Sequence, residues 1–149
     1  MSPLLLDDQL CFAVYAASRA MTGVYRRLLD ELGLTYPQYL TLLVLWEEGA
    51  VSVSHLSARL QLDSGTLTPL LKRLEKLGVV ERKRRVDDER VVDIHLTAAG
   101  KKLRGRAVKV PEAMACNINR TRAEVVALRD ELRLLTQHLT ATPRKAELK

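Results

Sequence analysis

The sequence predicts a mainly α fold with a small β-hairpin wing: a winged helix-turn-helix with N- and C-terminal dimerisation helices. Three observations predict it. Apolar residues recur at helical spacing along most of the chain and alternate at strand spacing only around residues 79–96. Two short helical segments meet at a tight Gly-containing turn near residue 63, which describes a helix-turn-helix. The charge is one-sided. Residues 72–106 hold 12 of the 24 Lys and Arg but only 6 of the 18 Asp and Glu, so the whole net charge of +6 arises there.

Residues 9–31 read as one helix. Leu10, Val14, Ala17, Met21, Val24 and Leu28 recur at alternating steps of four and three, a heptad seam suited to helix–helix packing, and Gly33 stops it. Thr35-Tyr36-Pro37-Gln38 opens the next helix with a capping box and a first-turn proline, and Gly49 follows its end. Ser52 caps a short helix over about 53–61. Leu62-Asp63-Ser64-Gly65 is expected as a turn. The helix after it carries Leu67, Leu70, Leu71, Leu74 and Leu77 inward and stops at Gly78. Its start has two readings: after Thr68, with Pro69 in the first turn, or near Ser64, with Pro69 inside and bending the helix. Residues 79–85 and 91–96 read as the strands of a hairpin, the wing. Thr97-Ala98-Ala99-Gly100 begins another helix, interrupted or bent at Pro111. A break is expected over Cys116-Asn117-Ile118-Asn119. Thr121-Arg122-Ala123-Glu124 is a capping box for a last helix with Val125, Leu128, Leu132, Leu135 and Leu139 again at heptad spacing. The tail from Thr142, with Pro143, Arg144 and Lys145, is expected to fray.

This order gives a single domain. Residues of about 9–34 and 112–141 are expected to dimerise, and about 35–111 to form a lobe with its linking helix. A seam on the first and last helices needs partners that a winged module does not supply, which implies a second copy around a two-fold axis.

Several classes of function are excluded. No run of 18 apolar residues exists, so no membrane span is expected. The opening Met-Ser-Pro-Leu-Leu-Leu-Asp-Asp lacks the positive region of a signal peptide, so the chain is expected to be cytoplasmic. Two cysteines and three scattered histidines (His55, His95, His138) give no metal-ligand spacing. No phosphate-binding glycine loop or nucleophile elbow is present. No enzyme, metal or cofactor is therefore expected.

A basic module in this order fits double-stranded DNA, a palindromic operator for a two-fold dimer. The hydroxyls of Ser64, Thr66 and Thr68 start the recognition helix, and Lys72, Arg73 and Lys76 continue its surface toward phosphate. The wing bears Arg82, Lys83, Arg84, Arg85 and Arg90. An arginine at a hairpin tip suits a minor groove, and Asp88 is placed to hold Arg90 by an ion pair.

Asp88-Glu89-Arg90 followed by Ile94-His95-Leu96-Thr97-Ala98-Ala99-Gly100 resembles the wing signature of MarR-family regulators. Three further stretches resemble the organic hydroperoxide resistance regulators within that family: Cys11-Phe12-Ala13-Val14-Tyr15, Leu34-Thr35-Tyr36-Pro37-Gln38-Tyr39-Leu40 and Leu62-Asp63-Ser64-Gly65-Thr66-Leu67-Thr68-Pro69-Leu70-Leu71-Lys72-Arg73. The resemblance covers about residues 8–140. It implies a homodimeric repressor that releases DNA on oxidation by organic hydroperoxide. It also implies a helix start near Ser64.

The thiols carry the second theme. All six aromatics (Phe12, Tyr15, Tyr25, Tyr36, Tyr39, Trp46) precede residue 47. Cys11 lies at the start of the first helix, whose positive end favours thiolate while Asp7 and Asp8 oppose it. Tyr15 is one turn away. Tyr25 lies ~21 Å along a straight helix, out of reach within one chain but accessible to an antiparallel partner. Phe12 and Trp46 are expected as apolar walls, and Tyr39 as core. The resemblance makes Cys11 the peroxide-reactive residue, with Tyr25 and Tyr36 of the other subunit bonded to it and Tyr15 nearby. It makes Cys116 the resolving cysteine of an intersubunit disulfide. The competing readings are that Cys11 is a small buried hydrophobe, which would be favoured without the tyrosines, and that Cys116 is a free core thiol. Two other functions compete: a repressor answering to a small aromatic ligand, and a thiol peroxidase, which needs neither wing nor basic half.

Overall fold

The computed structural model describes residues 4–141; the tail expected to fray lies outside them. The chain divides into two compact units, Met1–Met114 and Ala115–Lys149. In the first, a single 3-10 turn, Leu6–Asp8, leads into α1 (Leu10–Asp30) and α2 (Tyr36–Glu48). Then come β1 (Val51–Ser52), α3 (Val53–Leu60), α4 (Ser64–Lys76), β2 (Val80–Arg84), β3 (Val92–Leu96) and α5 (Ala98–Ala107). The helix α6 (Val110–Ile118) begins in the first unit and ends in the second, which also holds α7 (Arg122–Thr140).

Several local signals act as read, and others do not. Gly33 and Gly78 adopt positive φ (66° and 72°) just past α1 and α4, where only glycine turns without a Cβ penalty. The Thr35–Gln38 capping box forms, with the Thr35 N–H donating to Gln38 Oε1 at 2.8 Å. Ser52 accepts from the His55 N–H (3.1 Å) at the start of α3. Asp63, not Thr68, caps α4: its Oδ1 accepts from the Thr66 N–H at 2.8 Å. Pro69 therefore lies inside the helix, and Gly65 belongs to the helix rather than to the turn. The turn itself is Gln61–Asp63, with Gln61 left-handed at φ 53° and the Ser57 hydroxyl donating to the Leu62 carbonyl. Pro111 does not bend one long helix; it occupies the first turn of a new one, α6. The expected break at Cys116 lies further on. Cys116 sits within α6, and the chain turns at Asn119 (φ 51°) before Thr121 caps α7.

The sheet has the antiparallel order β1–β3–β2. Val80 pairs with Leu96 and Arg84 with Val92 along the hairpin. The two-residue β1, which is too short to show a period, adds Val51 opposite Ile94. The core lies beneath: Leu29 of α1, Leu42 and Leu45 of α2, Leu56 of α3, Leu67, Leu71 and Leu74 of α4, and Ile94 of β3 are all essentially inaccessible. The leucines of α4 fall at steps of four and three, so burying them turns residues 64, 65, 68, 69, 72, 73 and 76 to solvent together. Residues 10–21 of α1 are exposed throughout, including Leu10, Phe12, Val14, Tyr15 and Met21, and α7 has no buried residue. No helix among the described residues is long and apolar enough to cross a membrane.

Candidate functional site

Ser64, Thr68, Lys72, Arg73 and Lys76 share the exposed face of α4, and Thr66 is exposed in its first turn. The Thr66 hydroxyl is partly committed, donating to Asp63 Oδ2 at 3.3 Å. The capping bond holds the Asp63 carboxyl below the usual carboxylate range, mainly through the Thr66 N–H.

Ion pairs sort the wing cations into two groups. Arg82 reaches back to α4, with Nη2 2.8 Å and Nε 3.0 Å from Glu75 Oε2, and so ties the wing to that helix. Arg85 grips Asp93 with two nitrogens, Nη2 at 2.7 Å and Nε at 2.9 Å, and Lys83 pairs with Glu81 at 2.6 Å. Arg84 and Arg90 remain exposed toward the hairpin end, Arg84 donating weakly to the Glu89 carbonyl at 3.4 Å. Asp88 holds Arg90 differently from the ion pair expected: its Oδ1 accepts the backbone N–H of Arg90 at 3.1 Å. That contact shapes the turn and leaves the guanidinium free to point outward. Sequence reasoning missed the partners Glu75 and Asp93, because strand pairing and helix packing, not sequence spacing, bring them to the arginines. It also missed a brace behind the reading head. Glu48 of α2 binds His55 (2.5 Å) and Arg59 (2.6 Å) of α3, with Glu47 adding to Arg59 at 3.1 Å.

At the thiol end, Cys11 is the second residue of α1 and is exposed in the single chain. Tyr15 is 58% exposed, with Arg19 5.6 Å over its ring. Tyr25 and Tyr36 stack at 4.4 Å between centroids, and Tyr39, buried as expected, lies 6.0 Å from Tyr25. Burial, then the neighbouring Tyr36 and Tyr39, pushes the Tyr25 phenol up to about 12, so it stays a hydrogen-bond donor at neutral pH. Since α1 is one uninterrupted helix, Cys11 and Tyr25 stand ~21 Å apart in one chain. Trp46 faces α5, donating from Nε1 to the Gly100 carbonyl at 2.9 Å, with its edge 6.4 Å from Tyr39. Cys116 is exposed in the other unit. A 480 Å³ depression lined by Leu32, Leu34, Leu77, Val79, Lys102 and Arg106 includes none of the thiol-site residues. No metal-holding cluster occurs among the described residues.

A helix-turn-helix with a cationic outer face, braced to a basic hairpin, defines a winged-helix DNA-binding protein. Residues 23–105 match the family described as transcriptional regulator SarA/Rot. The chain is 51% identical over 146 residues to the HTH-type transcriptional regulator TtmR of Methylorubrum extorquens, covering 98% of this chain and 75% of that protein. It is 54% identical over 106 residues to the organic hydroperoxide resistance transcriptional regulator of Bacillus subtilis, covering 71% and 72%. Among solved structures, reduced AbfR bound to DNA superposes with a TM-score of 0.76 at 37% identity, over 90% of this chain and 93% of that one. Disulfide-formed AbfR gives 0.65 at 39%, over 90% and 91%. AbfR is a protein of Staphylococcus epidermidis. The chain belongs to the MarR family of winged-helix regulators, to its organic hydroperoxide resistance type. It is a DNA-binding transcriptional regulator and not an enzyme.

Proposed function

We propose that the chain is a homodimeric repressor that senses organic hydroperoxides through Cys11 and releases operator DNA on oxidation. The observation that carries this reading is the separation of Cys11 from a preformed tyrosine pair along one uninterrupted helix. The thiol lies exposed on an apolar, uncovered half of α1, and the stacked Tyr25–Tyr36 pair lies beyond its reach in the same chain. A second copy that covers this face antiparallel completes the site: its Tyr25 and Tyr36 hydroxyls donate to the Cys11 sulfur, with Tyr15 alongside. The Cys11 thiolate attacks the distal oxygen of ROOH. The O–O bond breaks, the alkoxide RO⁻ leaves and takes a proton from solvent to become ROH, and Cys11 becomes a sulfenic acid. The thiol of Cys116 from the other subunit then attacks that sulfur, expelling water and forming a disulfide. Such a bond requires Cα atoms within about 7 Å. It therefore selects a dimer whose recognition helices no longer match successive major grooves. The dimerising segments are residues of about 9–34 and 112–141, flanking the DNA lobe. The disulfide-formed AbfR structure, at 39% identity, supports the chemistry.

The test is operator binding on the chain's own promoter, with and without cumene hydroperoxide. Oxidant releases DNA and dithiothreitol restores it. Cys11→Ser stays bound under oxidant; release by that variant overturns the reading. Cys116→Ser still forms the sulfenic acid but gives no subunit crosslink on non-reducing gels; a surviving crosslink removes Cys116 from the mechanism.

A further inference from the structure

We propose that Trp46 is a positioning residue that couples the Tyr25–Tyr36 pair to the base of the wing, through its hydrogen bond to Gly100. The inference rests on the hydroperoxide-sensing reading above.

Helix α2 carries Tyr36, Tyr39 and Trp46 at steps of three and seven, which places them on one side of the helix. Tyr25 stacks on the first of these rings. Successive centroid distances of 4.4, 6.0 and 6.4 Å make one continuous aromatic row from α1 to the far end of α2. The row ends in a directional contact, the Trp46 Nε1–H to the Gly100 carbonyl at 2.9 Å, across 54 residues of sequence. Tryptophan alone among the large aromatics brings a ring and an N–H donor to such a place.

Gly100 is not free to move apart from the wing. A Cβ at Gly100 would stand 2.0 Å from the Val79 carbonyl oxygen and 3.0 Å from its carbon, so α5 and the Val79 backbone are in direct contact. Thr97, the N-cap of α5, donates its N–H to that same Val79 oxygen at 3.1 Å and its hydroxyl to the Gly78 carbonyl at 2.6 Å. Val79 leads directly into β2. A shift of the tyrosine pair thus meets a close-packed row whose last member is hydrogen-bonded to the wing's anchor. Packed rings shift between discrete arrangements rather than deforming smoothly. When Tyr25 or Tyr36 changes its hydroxyl partner at an oxidised Cys11, the row passes the change to Gly100.

Trp46→Phe keeps the ring and removes the donor. The expected variant is labelled by dimedone at Cys11 at the wild-type rate and binds the promoter fragment within about twofold of wild type when reduced. Its hydroperoxide-induced drop in affinity is smaller by about two- to tenfold, the worth of one hydrogen bond. A wild-type drop in the variant overturns the coupling alone, and so does an equal weakening of the reduced and oxidised forms, which marks a merely structural role. Because Trp46 is the single tryptophan, its fluorescence gives a second reading in the unaltered protein. Emission and acrylamide quenching are expected to change on oxidation in wild type and not in Cys11→Ser. An unchanged signal while DNA is released overturns the coupling even if Trp46→Phe does not fold. If wild-type protein does not release DNA on hydroperoxide, the sensing reading fails and this inference falls with it.

Discussion

At the scale of single residues, two glycines on the same helix separate what composition alone equates. Gly100 and Gly105 both lie in α5, where glycine weakens a helix by roughly 0.5–1 kcal/mol against alanine. An added Cβ at Gly105 meets nothing within 4 Å, whereas at Gly100 it meets a backbone oxygen at 2.0 Å. That oxygen cannot rotate away. Gly105→Ala should therefore raise the thermal midpoint by a degree or more, and Gly100→Ala should lower it by several degrees. The second cost is about 1–3 kcal/mol of overpacking, at ~2–4 °C per kcal/mol for a chain of this size. Equal shifts for the pair would refute the close crossing. The wing arginines divide in the same way. Their cluster was legible in the sequence, but which of them is spent on an internal pair was not, because Glu75 lies seven residues from Arg82 and Asp93 eight from Arg85, on other elements. Arg90→Ala should weaken operator binding and reduce the slope of log affinity against log salt by about one for each phosphate it no longer neutralises. Unchanged affinity and slope would show that Arg90 does not touch the operator.

At the scale of elements, helix starts were the readable part at four of the five side-chain caps. Thr35, Ser52, Thr97 and Thr121 all stand at the N-caps their sequence context implies. The α4 start was open because Thr68-Pro69 imitates a cap and first turn. The Asp63 carboxylate wins with a 2.8 Å bond and two full buried turns of leucine behind it. The strand β1 was invisible because two residues carry no period; it exists because β3 offers an edge. Cys116 reads as part of a break because Asn117 and Asn119 look like turn residues, yet only Asn119 takes the left-handed conformation. The Asp63 cap carries a pH signature. Its folded-state carboxyl is held low, so its contribution is full above the ordinary carboxylate value of about 4 and is lost as pH falls through the lower folded value. Asp63→Asn keeps an acceptor and removes the titration. The thermal midpoint of wild type relative to Asp63→Asn should be constant above about pH 5 and should fall as the solution is acidified below about 4. A pH-independent difference would mean that the carboxylate charge is not what holds the start of the recognition helix.

At the scale of the whole molecule, most of the α7 seam and the N-terminal part of the α1 seam identified in the sequence are on the surface of the single chain, while Leu28 packs against the core. Leu10, Val14 and Met21 of α1 and Leu128, Leu132 and Leu139 of α7 are all exposed, although their spacing is that of a packed seam. A helix of 19 residues with no buried side chain draws little stability from its own chain, since most helical stability in proteins comes from packing an apolar face. The seam was legible, but the partner was not, because heptad spacing specifies a packing surface without saying which copy covers it. If a second copy covers it, folding and association are linked, and the thermal midpoint must rise with protein concentration. Leu128→Glu with Leu132→Glu places two carboxylates on the α7 seam while leaving the core of the first unit untouched. The expected product is a monomer by sedimentation velocity. Its midpoint should no longer depend on concentration, and its promoter affinity should fall by at least about 100-fold, because two half-sites are no longer engaged by one linked pair of recognition helices. A variant that stays dimeric with wild-type affinity would place the interface elsewhere than on α7. One that turns monomeric yet keeps full affinity would show that a single lobe reads the operator unaided.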